Sequence, residues 1–234
     1  MQVIEDPSRI FINSWNIYQK VIQANYMKHR DLGIYSQKYL KDFASHQALR
    51  VLDIGCGDAK QLSAQLSSLN VASYTGYDLS EDAVSLAKQN MSKTGADLIF
   101  RIGKMEELIK EETTTYNVIY SSFAIHHLQE EAKKIFLKDC FKVLEKGGLF
   151  ILIDVKRATG QTREAYNDSY VEWINRDWSL LTGDEKKTVV SHLTTCDFPV
   201  ETSMYIQYAE SAGFILEDDV DIDPRHGLII FRKD

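Results

Sequence analysis

A glycine-rich turn follows a short apolar segment near residue 50. The segment Arg50–Ile54 is largely apolar and stops at a glycine, which is typical of a buried strand. Gly55 and Gly57 come next, and helical spacing begins at Lys60. Because glycine lets the backbone approach a ligand closely beyond the carboxyl end of a strand, the pattern predicts a binding turn.

Two carboxylates accompany this turn. Asp53 lies inside the first predicted strand, and Asp78 ends the second, where a carboxylate can accept hydrogen bonds from both hydroxyls of a ribose. A dinucleotide fingerprint would need a third glycine where Lys60 stands, and Asp53 would repel a pyrophosphate. A nucleoside ligand other than a dinucleotide is favoured, and an NAD(P)-dependent oxidoreductase is the alternative.

Polar residues also follow two later predicted strands. His126 and His127 come just after the fourth strand, and either could accept a proton because free imidazole titrates near about 6.5. Asp154 ends the fifth strand and could face a substrate or pair with Lys156 or Arg157. Local packing or capping is the alternative role for the histidines. Adjacent residues project differently and zinc-ligand spacings are absent, so no metal site is predicted.

Short apolar strands alternate with helical patterns between residues 50 and 154. This alternation predicts an α/β fold with a doubly wound parallel sheet and helices on both faces. Ser80 is a predicted N-cap. A long helix is predicted over Gln129–Leu144 and is ended by Lys146, Gly147 and Gly148, with one face formed by Ala132, Ile135, Phe136 and Val143. The predicted strands are Arg50–Ile54, Tyr74–Tyr77, Leu98–Ile102, Asn117–Ser121 and Leu149–Ile153.

Three segments flank this unit. Residues 11 to about 45 predict two helices rich in aromatic residues, including Phe11. Residues 155–202 form an insertion that is too long for a structureless loop, and Thr182 to Glu185 fits a capping box. The tail predicts a helix stopped by Gly213 and then a hairpin, so that the last strand is antiparallel.

Composition limits the functional class. The chain has 234 residues, 44% hydrophobic and 26% charged, which is typical of a globular protein. Its net charge of −7 disfavours nonspecific nucleic-acid binding. No apolar run approaches the roughly 18 residues of a membrane span, and the first ten residues lack a signal-peptide core. Three widely spaced cysteines indicate neither a disulfide framework nor a zinc knuckle, so a cytoplasmic location is expected.

Several spaced motifs together resemble the class I S-adenosylmethionine-dependent methyltransferases. They are VLDIGCGDA at 51–59, Asp78, RIGKME at 101–106, YSSFAIHHL at 120–128 and FKVLEKGGL at 141–149. The resemblance is close over residues 50–154 and extends in outline to 203–232. It implies a Rossmann-like seven-stranded sheet with an antiparallel last strand, and S-adenosyl-L-methionine as the cofactor.

The resemblance also implies roles for individual residues. Tyr26 could cover the sulfonium and Arg30 could pair with the methionine carboxylate, or both could belong to a solvated helix face. At Lys104 the family often has an aspartate. The implied cofactor-binding residues are Asp53, Gly55, Cys56, Gly57, Asp78, Leu79, Lys104, Met105, Glu106, Ser121, Tyr26 and Arg30.

These features predict a single methyltransferase domain acting on a small molecule. The predicted parts are an N-terminal helical cap (1–45), a cofactor-binding core (46–154), a helical insertion (155–202), and a terminal helix and hairpin (203–234). A non-catalytic cofactor-binding module is a further alternative. Membrane and nucleic-acid partners are not expected. Candidate catalytic residues are His126, His127 and Asp154, and aromatic candidates for an acceptor lid are Tyr166, Tyr170, Trp173 and Trp178.

Overall fold

One seven-stranded sheet forms the centre of the molecule in a computed structural model that describes residues 15–234. The prediction of two helices between residues 11 and 45 is confirmed from Trp15 onward, whereas Phe11 lies outside the described residues. The strands are β1 (Leu49–Ile54), β2 (Val71–Asp78), β3 (Asp97–Ile102), β4 (Tyr116–Ser122), β5 (Leu144–Val155), β6 (Ile215–Asp223) and β7 (His226–Arg232).

The strand order is β3-β2-β1-β4-β5-β7-β6. Strands β1 to β5 pair in parallel, and β7 is antiparallel to both β5 and β6. This confirms the predicted fold class. The order reverses between β1 and β4, and ligands of such sheets bind beyond the carboxyl ends of the strands at this switch point.

Helices cover both faces of the sheet and its carboxyl edge. None of the helices within residues 15–234 has both the length and the apolar character needed to cross a membrane. The helices are α1 (Trp15–Ala24), α2 (His29–Ala44), α3 (Lys60–Leu66), α4 (Glu81–Met91), α5 (Met105–Leu108), α6 (Glu130–Val143), α7 (Arg163–Asp177), α8 (Gly183–Cys196) and α9 (Thr202–Ala212).

Two predicted caps are confirmed. The Ser80 hydroxyl accepts a hydrogen bond from Ala83 N at 3.2 Å, which satisfies one of the exposed amides at the start of α4. Thr182 and Glu185 form the reciprocal capping box that opens α8. The sequence between β5 and α9 is therefore helical, as expected, and it contributes α7 and α8.

The end of α6 lies close to the predicted position, but its cap differs from the predicted one. The helix ends at Val143, one residue before the predicted Leu144, and β5 begins at Leu144, so Gly147 lies within the strand segment. Lys233 caps this end, because its ammonium donates to the carbonyls of Phe141 at 2.6 Å and Leu144 at 2.7 Å. Ile135, which was predicted on the same face as Val143, is 53% exposed.

A separate apolar cluster, which we call the cap core, joins α1 to α7 and α8. The sheet has its own cluster on each face, built mainly from the apolar side chains of its strands. The cap core therefore covers the carboxyl edge of the sheet with residues far apart in sequence. Its buried members are Ile17, Val21, Tyr166, Tyr170, Ile174, Trp178, Leu181, Val189 and Leu193.

Candidate functional site

A cavity of about 540 Å³ lies between the carboxyl edge of the sheet and the cap core. Its size is within the roughly 300–1,000 Å³ of small-molecule sites. One end is lined by Gly55, Gly57 and Asp78, and the other by His127 and His192. The cavity thus joins the predicted cofactor turn to the predicted catalytic histidines.

Two glycines in the turn after β1 have positive φ angles, and one of them also has no space for a side chain. Gly55 has φ +71°, and a Cβ there would lie 2.4 Å from the Cβ of Ala124. Gly57 has φ +52°, and a Cβ there would lie 3.6 Å from the Trp15 ring. The backbone is therefore closely packed on one side at Gly55 and faces the cavity at Gly57, as a ligand-binding turn must.

Asp78 fixes this turn to the end of β2. Its carboxylate accepts hydrogen bonds from Gly57 N and Ser80 N, both at 2.8 Å. Burial raises the pKa of Asp78, and the backbone donors, including Gly57 N and Ser80 N, act in the opposite direction. Each carboxylate oxygen keeps a further acceptor position, so Asp78 can still bind ribose hydroxyls.

Three of the predicted cofactor residues lie behind the turn, outside the cavity wall. Asp53 accepts a hydrogen bond from the Tyr74 hydroxyl at 2.6 Å, and burial raises its pKa to about 7. Cys56 is buried, and burial raises the pKa of its thiol well above the usual value. Ser121 donates to Ile54 O at 3.0 Å. These residues hold the turn in place and do not face the cavity.

The segments after β2 and β3 form another part of the cofactor end. Leu79, Lys104, Met105 and Glu106, which the sequence analysis predicted as cofactor-binding residues, all line the cavity. The Lys104 ammonium lies 3.9 Å from a carboxylate oxygen of Glu107 and is exposed. Met105 and Leu79 offer apolar surface to a planar ring.

The cap contributes to the cavity through residues other than those predicted. Tyr26 stacks on Trp178 with ring centroids 4.8 Å apart, and its hydroxyl accepts a hydrogen bond from Leu180 N at 2.8 Å. Arg30 is exposed, and neither Tyr26 nor Arg30 lines the cavity. The side chains from this region that do line it are Trp15, Tyr18, Val21 and Met27.

The insertion supplies two of the four predicted aromatic residues to the wall. Tyr170 and Trp178 line the cavity, whereas Tyr166 is buried in the cap core and Trp173 packs against its outer side. The Tyr170 hydroxyl lies 3.0 Å from Nε2 of His226. The insertion therefore contributes to the cavity wall, through two of the four residues that were predicted for an acceptor lid.

Asp154 lies behind His126, away from the cavity. The carboxylate accepts from His126 N at 2.9 Å and from the Tyr205 hydroxyl at 3.1 Å, and it lies 2.5 Å from His126 Nδ1. Burial lowers the pKa of His126, but Asp154 and Asp197 more than offset this and leave the pKa raised. Asp154 therefore orients His126 and does not itself reach the cavity.

Asp197 is the residue of this site that the sequence analysis missed. Its Oδ1 lies 3.7 Å from His126 Nε2, 3.3 Å from His127 Nδ1 and 3.4 Å from His192 Nε2. Burial raises the pKa of Asp197, but the three histidines lower it further, so the pKa is below the usual value. The only signal in the sequence was that Asp197 comes shortly after the predicted helix that carries His192.

Part of the chain matches a known protein family. Residues 51–148 match a family model described as a methyltransferase domain. The segment therefore forms a methyltransferase domain, as the sequence motifs predicted. The match favours the methyltransferase prediction over the oxidoreductase alternative.

The methyltransferase domain has relatives among characterised small-molecule enzymes. The chain is 28% identical over 130 residues to the ubiquinone biosynthesis O-methyltransferase of Maricaulis maris, which covers 55% of this chain and 48% of that protein. It is 27% identical over 187 residues to the phosphoethanolamine N-methyltransferase of Plasmodium falciparum, covering 78% of this chain and 65% of that protein. The alignments thus span half to two thirds of these relatives.

Solved structures share the fold of the methyltransferase at low sequence identity. Magnesium protoporphyrin IX methyltransferase from Synechocystis, solved with bound S-adenosylhomocysteine, has a TM-score of 0.69 at 14% identity and covers 97% of this chain and 98% of that one. Human N-acetylserotonin methyltransferase has a TM-score of 0.55 at 16% identity, with 78% and 47% covered. These matches show that the chain shares the fold of both structures.

Proposed function

We propose that this chain transfers the methyl group of S-adenosylmethionine to a small-molecule acceptor. The observation that carries the proposal is the single cavity that runs from the glycine turn and Asp78 to the histidines after β4. A donor bound at the first end would point its reacting group toward the second. Such positioning can supply a large part of the rate enhancement of a transfer reaction.

The residues at the turn fit S-adenosylmethionine. The backbone of Gly57 faces the cavity, Asp78 can accept from ribose hydroxyls, and Met105 lies where an adenine ring would pack. Bound there, the cofactor supplies a methyl group activated by its sulfonium. The turn, the carboxylate and the apolar floor would then hold the cofactor at three places along its length.

The other end of the cavity favours an acceptor with an apolar or aromatic body. Phe123, Tyr170 and Trp178 contribute aromatic surface to the wall. Sites for small organic molecules are lined in this way, with a few polar groups that fix orientation. Here the polar groups are His127, His192 and Asp197, which would therefore face the atom that accepts the methyl group.

Helices α1, α7 and α8 cover this acceptor end and would exclude water during transfer. Lys20 on α1 forms an ion pair of 2.6 Å with Glu185 on α8, and Tyr26 stacks on Trp178 just after α7. The cap is thus closed by contacts between segments that are more than 150 residues apart. Of the predicted catalytic residues, His127 is the one with exposed surface at the cavity, while His126 and Asp154 are buried.

Calorimetric titration with S-adenosylhomocysteine, with NAD as the control ligand, tests the cofactor assignment. We expect binding of one S-adenosylhomocysteine per chain and no binding of NAD. Methyl transfer from labelled S-adenosylmethionine is then measured on separate pools of phenols, amines and thiols. Cofactor binding without transfer to any pool would favour a non-catalytic module, and NAD binding alone would overturn the proposal.

A further inference from the structure

The acceptor end of the cavity holds an arrangement of side chains typical of metal centres. His126, His127 and Asp197 can each offer one ligand atom, and these atoms all lie within 4.8 Å of one another. All three residues line the cavity. We propose that these three residues bind a divalent transition metal ion, of the class represented by Zn²⁺, next to the methyl-transfer position.

The distances from Asp197 to the two histidines fit tetrahedral coordination. Two ligand atoms that are each about 2.1 Å from a tetrahedral ion lie about 3.4 Å apart. Asp197 Oδ1 is 3.3 Å from His127 Nδ1 and 3.7 Å from His126 Nε2, and the ligand nitrogens of the two histidines lie within 4.8 Å of each other. Two imidazoles and a carboxylate are ligands that zinc and iron accept readily. Three protein ligands leave a fourth position open toward the cavity, as in catalytic metal sites.

The surroundings of the ligands also fit a metal site. Asp154 lies 2.5 Å from Nδ1 of His126, which places the proton on that nitrogen and turns Nε2 toward Asp197. Histidines that bind metals almost always make such a contact through their second nitrogen. The Asp197 carboxylate has a second neighbour of its own in His192, whose Nε2 lies 3.4 Å from Oδ1.

Backbone contacts hold the two halves of the site together. Phe198 N donates to His126 O at 2.7 Å, so the residue after Asp197 is fixed to the first histidine. The buried Lys133 ammonium donates to the carbonyls of Leu128 and Phe198. A site assembled from segments about 70 residues apart is therefore positioned before any ion arrives, which lowers the cost of binding.

The charges leave room for a cation. The carboxylates of Asp154 and Asp197 are buried, and the ammonium of Lys133 is the buried cation packed beside them in the described part of the chain. Two buried negative charges with one positive charge need a further partner. A bound ion would supply it, and a proton on His126 is the competing source that the experiment must separate.

The role of the metal ion in methyl transfer rests on the proposed function and specifies which acceptor group receives the methyl. An acceptor hydroxyl bound at the open position would lose its proton to solvent more readily, because a metal ion lowers the pKa of a bound hydroxyl. The oxygen lone pair then forms the new C–O bond while the S–C bond of the cofactor breaks. The cofactor leaves as a neutral thioether. The acceptor class is therefore a small molecule with a metal-binding hydroxyl group.

The test is calorimetric titration of untagged, chelator-treated protein with Zn²⁺, repeated with Co²⁺ while visible absorption is recorded. We expect one ion per chain and the absorption bands of tetrahedral cobalt. The variant His127→Gln should bind Zn²⁺ at least about 10-fold more weakly. His46→Gln replaces an exposed histidine outside the cavity and should bind as the unmodified chain does. Asp197→Asn provides a second ligand variant.

Two results would overturn the metal proposal: no stoichiometric Zn²⁺ binding, or equal binding by His127→Gln and the unmodified chain. Either would leave the proton on His126 as the balancing charge. S-adenosylhomocysteine binding is measured on the same metal-free protein. If the protein binds S-adenosylhomocysteine normally but does not bind Zn²⁺, only the metal site is refuted. If it does not bind S-adenosylhomocysteine, the proposed function is refuted.

Discussion

The two ends of the cavity are built in opposite ways. At the cofactor end, short segments directly after β1, β2 and β3 supply Gly57, Asp78 and Met105, and each lies at the end of its own strand. At the acceptor end, Val21, His127 and Asp197 come from parts of the chain up to about 180 residues apart. The first end depends on local backbone geometry, and the second depends on how the cap docks on the sheet.

The difference predicts different consequences of mutation. Changes at the cofactor end should act on the folded sheet or on cofactor affinity, because the turn and β2 are tied together by backbone hydrogen bonds. Changes at the acceptor end should act on the cap and on substrate choice while leaving cofactor affinity intact. Four experiments test this division, in order of decreasing expected effect.

The largest effect is expected at Gly55, in the turn of the cofactor end. Gly55→Ala would force a Cβ to within 2.4 Å of Ala124 and would strain a backbone with φ +71°. Overpacking and strain together should lower the free energy of unfolding by about 4 kcal/mol. Gly95→Ala is the matched control, since φ is +75° and no atom lies within 4 Å. Urea unfolding of Gly95→Ala should show about half the loss in free energy of unfolding that Gly55→Ala shows. Equal losses in the two variants would mean that the contact with Ala124 is unimportant.

Asp78→Asn should weaken the cofactor end alone. The amide can accept only one of the two backbone hydrogen bonds well, and it offers ribose a weaker acceptor. We expect S-adenosylhomocysteine to bind about 30-fold more weakly, which corresponds to about 2 kcal/mol. Asp82→Asn removes the same charge from an exposed position in α4 and is the control. Calorimetry showing the same affinity for both variants would contradict the ribose assignment.

Asp53 should make stability depend on pH. Its pKa is raised from 3.8 to about 7 on folding, mainly by burial, so the folded chain holds this proton more tightly than the unfolded chain does. Stability from this group is therefore complete at low pH and declines as the pH rises from about 4 to 7. The decline should approach about 1.4 kcal/mol per pH unit. Unfolding measured against pH should be flatter for Asp53→Asn, and identical profiles would contradict the assignment.

The smallest effect is expected in the cap. Tyr26→Phe keeps the stacking on Trp178 and removes the hydrogen bond from Leu180 N, which should cost about 1 kcal/mol. Tyr35→Phe on α2, where the residue is 40% exposed, is the control. Thermal unfolding measures the cost. Cofactor affinity should be unchanged in both variants, and a weaker affinity in Tyr26→Phe would mean that the two ends are not independent.

The sequence predicted the sheet and the cofactor end because both depend on local patterns. Apolar strands that stop at polar or glycine residues identify their own ends, so Gly57 and Asp78 could be placed beside each other without coordinates. The same logic failed at Asp53 and Ser121, because the motif does not say which side chains point away from the cavity.

The acceptor end could not be predicted in the same way. The pairing of Asp197 with His126 and His127 depends on the docking of α8, and no periodicity in the chain encodes that distance. The end of α6 was predicted to within one residue, but its cap was not, since Lys233, 92 residues from Phe141, replaces the glycine that local patterns favour. Long-range contacts decided both outcomes.

Three aliphatic residues belong both to the cap core and to the cavity wall, in addition to the aromatic Tyr170 and Trp178: Val21, Val189 and Leu193. Any change that reshapes the acceptor space at these positions also changes the packing that holds the cap closed. In a directed-evolution library at these three sites, variants that accept new substrates would therefore also tend to unfold at lower temperature. Stabilising substitutions elsewhere in the cap would be the starting point for altering the shape of the acceptor space.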